Sequence, residues 1–199
     1  MKTNREKIEK LFPSVYITLI SILLGFAIED VVSKARELVP LDAYTILTAT
    51  AILSCVFAAW TGYSFISMTQ ERLPKVLDSV NIFLLALGIY LLNSTLGMEI
   101  WYFFSALCIY LVFAMFATIY NITALLSSID TAYSSRIFLP MSLVIGLNLI
   151  IYPIGAWMSH EGVLSSAMEF SLIIYVILSN VLWTYSFYHG WSKLITDDI

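Results

Sequence analysis

Six long apolar runs constrain this chain more than any other feature, each close to the roughly 20 residues a helix needs to cross ~30 Å of hydrocarbon. They cover 12–32, 44–68, 76–96, 100–126, 137–157 and 163–191. The runs are continuous rather than alternating, and a helix satisfies its backbone hydrogen bonds locally, as lipid demands, so they read as helices. Composition agrees, since 60% of the 199 residues are hydrophobic and only 12% are charged. Nearly all of the charges fall between the runs, where they avoid the cost of a charge in hydrocarbon. The expected fold is therefore all-α: a polytopic bundle of six transmembrane helices forming one integral-membrane domain over 1–199.

Basic residues alternate between the two sides of such a bundle very unevenly. Lys2, Arg5, Lys7, Lys10, Arg72, Lys75, Arg136 and Lys193 fall on the side of the termini, and only Lys34 and Arg36 on the other. Acidic residues split evenly, as the positive-inside rule requires of a bias that is not one of net charge. Both termini are thus expected in the cytoplasm, in a cell membrane of the prokaryotic inner-membrane type. The N-terminus has a basic start like a signal peptide, but its apolar stretch reaches Ile28 without a small-residue cleavage pattern, so it reads as a retained first helix.

Local signals refine this picture. Pro13, Pro74 and Pro140 stand in or just before the first turn of a run, where a missing N–H is harmless, whereas Pro153 lies inside the fifth run and predicts a kink or early end. Cys55 and Cys108 lie in apolar runs without metal or redox spacing and read as small buried hydrophobes. Trp101, Tyr102 and Trp157, and on the opposite side Tyr133, Tyr188 and Trp191, form interfacial belts. Asn93-Ser94-Thr95 spells a glycan acceptor, but in a turn tight against the membrane it reads as chance. Trp60-Thr61-Gly62-Tyr63-Ser64-Phe65 recurs, less one glycine, as Trp183-Thr184-Tyr185-Ser186-Phe187, which fits either a parallel repeat or two aromatic anchors.

The polar residues kept inside the runs carry the functional interest. Ser14, Thr18, Ser21, Gly25 and Glu29 share one face of the first helix, with Asp30 beside Glu29 at its far end. That face reads as a helix-packing seam or as the wall of a water-filled path whose acidic mouth concentrates cations. Asn81, Asn121, Asn148 and Asn180 lie within runs where an unpaired amide would cost several kcal/mol, so each needs a partner. The partners are one another or a translocated polar species. Glu169 lies two turns into the sixth run as drawn, or at the interface if that helix starts later. His160 and His189 are expected on opposite sides of the membrane, so they cannot share a metal, and no HExxH, GxSxG, P-loop or GxGxxG occurs.

In size and six-helix layout the chain resembles the prokaryotic members of the lysosomal potassium-channel family, small subunits that assemble around a pore lined by their first helix. That family's Phe-Ser-Asp signature is replaced here by Phe12-Pro13-Ser14, so the resemblance implies an architecture and transfers no selectivity residue. The run from Gly25 to Asp30 is also similar to uncharacterised bacterial multi-pass proteins, a likeness that implies no activity.

Two functional readings follow. One is an oligomeric channel or transporter subunit passing a cation or small polar solute. The other is a membrane-embedded sensor, effector or accessory subunit without transport of its own. Besides the lipid bilayer, the expected partners are further copies of the chain or a membrane or cytoplasmic protein. No enzyme activity, cofactor or metal is expected, and with a net charge of −4 and no basic face, no nucleic acid. We predict that reporter fusions at Lys193 and in the Leu38–Asp42 loop report opposite sides of the membrane; the same side for both would refute the topology.

Overall fold

Each apolar run forms one helix in a computed structural model that describes the backbone of residues 4–69, 75–126 and 131–196 and the side chains of 11–64, 75–120 and 143–189. The helices are α1 (Asn4–Glu37), α2 (Ala43–Thr69), α3 (Val76–Ser94), α4 (Ile100–Leu126), α5 (Thr131–His160) and α6 (Ser166–Thr196), and no strand occurs among the described residues. All six contain a stretch long and apolar enough to cross a membrane. The protein is a multi-pass α-helical membrane protein.

Helix boundaries differ from the apolar runs where backbone hydrogen bonding continues beyond the hydrocarbon. α1 and α5 begin well before Pro13 and Pro140, so neither proline opens its helix. A proline strips the donor from the carbonyl four residues earlier. Those carbonyls belong to Glu9 and Arg136, in polar stretches near the helix ends. Pro74 lies outside the described residues. α5 also runs through Pro153 to His160 without ending early. α6 starts at Ser166, later than the apolar run, because Gly162 at φ +65° turns the chain first. Glu169 therefore stands in the first turn of α6.

Packing closes the helices into a ring in the order α1, α2, α6, α5, α4, α3, with α3 returning to α1 and α2 also touching α3 and α4. Lipid tails are as apolar as leucine, so close packing and interhelical hydrogen bonds hold such a ring together, more than the hydrophobic effect does. Small residues provide the approach. A Cβ on Gly88 would lie 3.3 Å from the Tyr110 Cα, and one on Gly62 only 2.6 Å from the Trp183 ring. The two similar Trp-Thr segments thus meet across α2 and α6. Cys55 is buried, Cys108 is half-buried, and both are free thiols.

One polar link ties α1 to α3. The buried Asn93 amide donates to the Ala27 carbonyl and to Asp30 Oδ2, both at 3.0 Å, and Lys34 Nζ reaches the same oxygen at 2.9 Å. Asn93 is thus committed to packing. Of the two basic residues on this side, Lys34 pairs with Asp30, whereas Arg36 makes no ion pair among the described residues. We predict that Asn93→Ala destabilises the protein in detergent by about 1–2 kcal/mol, because the half-buried Ala27 carbonyl and Asp30 carboxylate lose a donor. Lys34→Ala, which removes a partly exposed i,i+4 pair, costs about 0.5 kcal/mol. Equal losses in chemical unfolding would refute this ranking.

Candidate functional site

At one end of the ring the α1–α2, α3–α4 and α5–α6 connections surround an open cavity of about 430 Å³. The local sequence builds its rim. Asp42 caps the start of α2, accepting the Thr45 N–H at 2.6 Å. The side-chain and backbone hydrogen bonds from Thr45 hold the Asp42 carboxyl below its ordinary value. Gly97 turns α3 into α4 at φ +82°, where a Cβ would come within 2.8 Å of Leu38. This close approach sets the α3–α4 turn against the end of α1. Glu99 then follows, its Oε2 accepting the Trp101 indole N–H at 2.7 Å.

Glu169 is the best-held acid of the cavity. Tyr44, opening α2, donates its hydroxyl to Glu169 Oε2 at 2.5 Å, and Ser159, ending α5, donates to Oε1 at 3.0 Å. The Tyr44 ring also packs on Phe170 at 4.2 Å between centroids. Three helices thus converge on one carboxylate. Asp42, Glu99 and Glu169 share the lining with Thr48, Thr95, Met98, Trp101 and Phe103, and no lining residue is basic. Thr48 is only 6% exposed and lines the cavity one turn below Tyr44. Such a vestibule attracts cations and offers hydrogen bonds to a small polar molecule. A second cavity, between α5 and α6, is almost wholly apolar and suits lipid.

One turn below the vestibule the ring is shut. Ile52 follows Thr48 and Ile173 follows Glu169 at i+4, and with Phe103, Phe104, Leu107 and Val176 they fill the centre at 1% exposure or less. Beneath this apolar layer lies a polar one. Asn180 Nδ2 donates to Ser54 Oγ at 2.9 Å and to Cys55 Sγ at 3.2 Å, and Tyr110 donates to the Cys55 carbonyl at 3.2 Å. Tyr152 and Ser179 share a 3.1 Å hydrogen bond, and Tyr175 donates to Asn148 Oδ1 at 2.9 Å. The amides of Asn148 and Asn180 are therefore partnered by hydroxyls and a thiol, not by each other. Asn81 is different: it is 1% exposed, and neither its oxygen nor its nitrogen has a hydrogen-bond partner among the described residues. Asn121 lies in α4 outside the described side chains.

The stripe on α1 has a different setting from the vestibule. Ser14, Thr18, Ser21, Gly25 and Glu29 are all exposed on the outside of the ring. Thr18 donates back to the Ser14 carbonyl at 2.8 Å, and Ser21 accepts the Trp60 indole N–H at 3.2 Å. A Cβ on Gly25 would meet nothing within 4 Å, so at Gly25 this face packs against no other described helix. It lines neither described cavity. The adjacent acids part company, since about 100° of helix separates Glu29, turned outward, from Asp30, turned toward Asn93.

Of the vestibule residues, only Glu169 stands out in the sequence as a site candidate. Tyr44 reads there as one more interfacial aromatic, and no local pattern pairs it with an acid at the far end of the chain. The fold and cavity define a helical membrane protein with a polar vestibule leading to a closed centre. Comparison with known proteins gave no matching family model, no matching curated protein and no matching solved structure. We predict that Tyr44→Phe and Glu169→Gln are coupled: a double-mutant cycle in detergent unfolding gives about 1.5–3 kcal/mol, the range of a hydrogen bond to a charged group. Strict additivity would show that the two side chains do not act together.

Proposed function

We propose that this chain is a membrane transport protein that passes a cation or small polar solute through its own ring of helices. The observation that carries the reading is the stacking of an acidic vestibule, an apolar layer and a polar layer along one axis. An apolar constriction between polar compartments is how a hydrophobic gate holds a path shut. Glu169 is the proposed receiving group and Thr48 its neighbour on the path inward. The excess of basic residues near the termini supports a vestibule facing outward from the cytoplasm. Transport, not catalysis, is the chemistry these groups suit.

The outward face of α1 favours a second arrangement of the same unit. Its exposed hydroxyls, Gly25 and Glu29 suit close approach to another helix, whether of a second copy or of a partner protein. That face would join subunits, and the vestibule of each would remain its own.

Vesicles holding only the purified chain test the reading, with potassium and methylammonium as probes. Gradient-driven uptake of at least one above that of protein-free vesicles is expected, and Glu169→Gln should lower it about tenfold, through loss of the charge at the mouth. Flux of neither probe, from protein that remains folded, would overturn transport and leave the sensor or accessory reading standing on the α1 face.

A further inference from the structure

Three polar groups without hydrogen-bond partners among the described residues lie at one depth on α2, α3 and α6. They are the Asn81 amide on α3, the Tyr63 hydroxyl on α2 and the Thr184 hydroxyl on α6. Helix rise gives the depth from the vestibule lining. Tyr63 follows Thr48, Asn81 precedes Thr95 and Thr184 follows Glu169, each by 14 or 15 residues, or about 22 Å. α2 packs against both α3 and α6, and at this level Gly62 abuts Trp183, which brings the backbones of α2 and α6 close. Asp78, one turn from Asn81 on the same face, is 2% exposed. Its Oδ2 accepts the Lys75 N–H at 2.7 Å.

We infer that Asn81, Tyr63 and Thr184 form a second polar binding site, on the far side of the closed apolar layer from the vestibule. Buried polar groups in folded proteins are satisfied with few exceptions, and buried water meets the need where protein does not. The chemistry narrows the occupant. An inorganic cation would satisfy the Asn81 oxygen and leave its NH₂ donors bare. A ligand that both donates and accepts, through hydroxyl, amide or water oxygen, satisfies the amide and the two hydroxyls together. Water fills the site while the apolar layer is shut, and a hydrogen-bonding solute displaces it in transit. The second half of this assignment rests on the proposed transport function; the first does not. Tyr63 and Thr184 lie in the two similar Trp-Thr segments, whose aromatic residues alone would need no binding role.

Radiolytic hydroxyl-radical labelling of the full chain in detergent tests the hydrated site, because radicals form from water held beside a side chain. Tyr63, though 5% exposed, should label about tenfold faster than Phe104 in the sealed layer. Labelling of Tyr63 as slow as that of Phe104 would overturn the site. Asn81→Leu, branched alike and without polar atoms, should lower Tyr63 labelling; an undiminished rate would show that the amide holds no water there. Thr184→Val supplies the same measurement if Asn81→Leu does not fold. Formamide, a small ligand with both donors and acceptors, distinguishes the sources. If it slows Tyr63 labelling in the wild type but not in Asn81→Leu, the site accepts solute as well as water; no slowing in the wild type would refute the solute half. Failure of flux in vesicles with Tyr63 still labelled would sink transport and leave the hydrated site intact.

Discussion

In hydrocarbon a polar group has no water to turn to, and this constraint shapes the protein at every level. It forces the backbone into helices, whose hydrogen bonds close within one segment. It also sends serine and threonine hydroxyls back to carbonyls on their own helices, as Thr50, Thr61, Ser105, Thr118 and Ser186 each do to the residue four positions before. Longer polar side chains must find partners on other helices, and those bonds join the ring at chosen points.

Association of the helices follows from the same constraint. Burying leucine against leucine gains little when lipid is the alternative, so specificity rests on close approach and on interhelical hydrogen bonds. Gly62 and Gly88 provide the first; Asn93, Asn180 and the Tyr152–Ser179 pair provide the second. The bonds of Asn93 and Asn180 also fix rotation, since turning α3 or α6 by one residue would carry each amide about 100° away from its acceptors.

Polar groups along the ring axis divide into those that hold the structure and those left over. Asn148 and Asn180 have protein partners and account for themselves as packing. Asn81, Tyr63 and Thr184 do not, among the described residues. Groups whose hydrogen bonding the protein leaves unmet mark where something other than protein belongs. Between the two levels Ile52, Phe103, Phe104, Leu107, Ile173 and Val176 pack at 1% exposure or less.

The sequence alone was enough for six helices, because continuous apolar runs and the exclusion of charge from hydrocarbon are local properties of the chain. The same physics made the intramembrane asparagines and Glu169 visible as residues needing an explanation. Which explanation each receives depended on the tertiary structure. The α1 stripe has an unambiguous helical periodicity, yet periodicity says only that residues share a face, and neighbouring helices decide whether that face looks inward. Here it looks out. Helix ends were also beyond the apolar pattern, since hydrogen bonding runs on past Pro13, Pro140 and Pro153 while hydropathy reports only where lipid begins. Above all, Tyr44 and Ser159 meet on Glu169, and Tyr63, Asn81 and Thr184 share a depth, only because the ring brings α2, α3, α5 and α6 together. Nothing in the spacing of residues so distant along the chain encodes those encounters; the order in which the helices pack does.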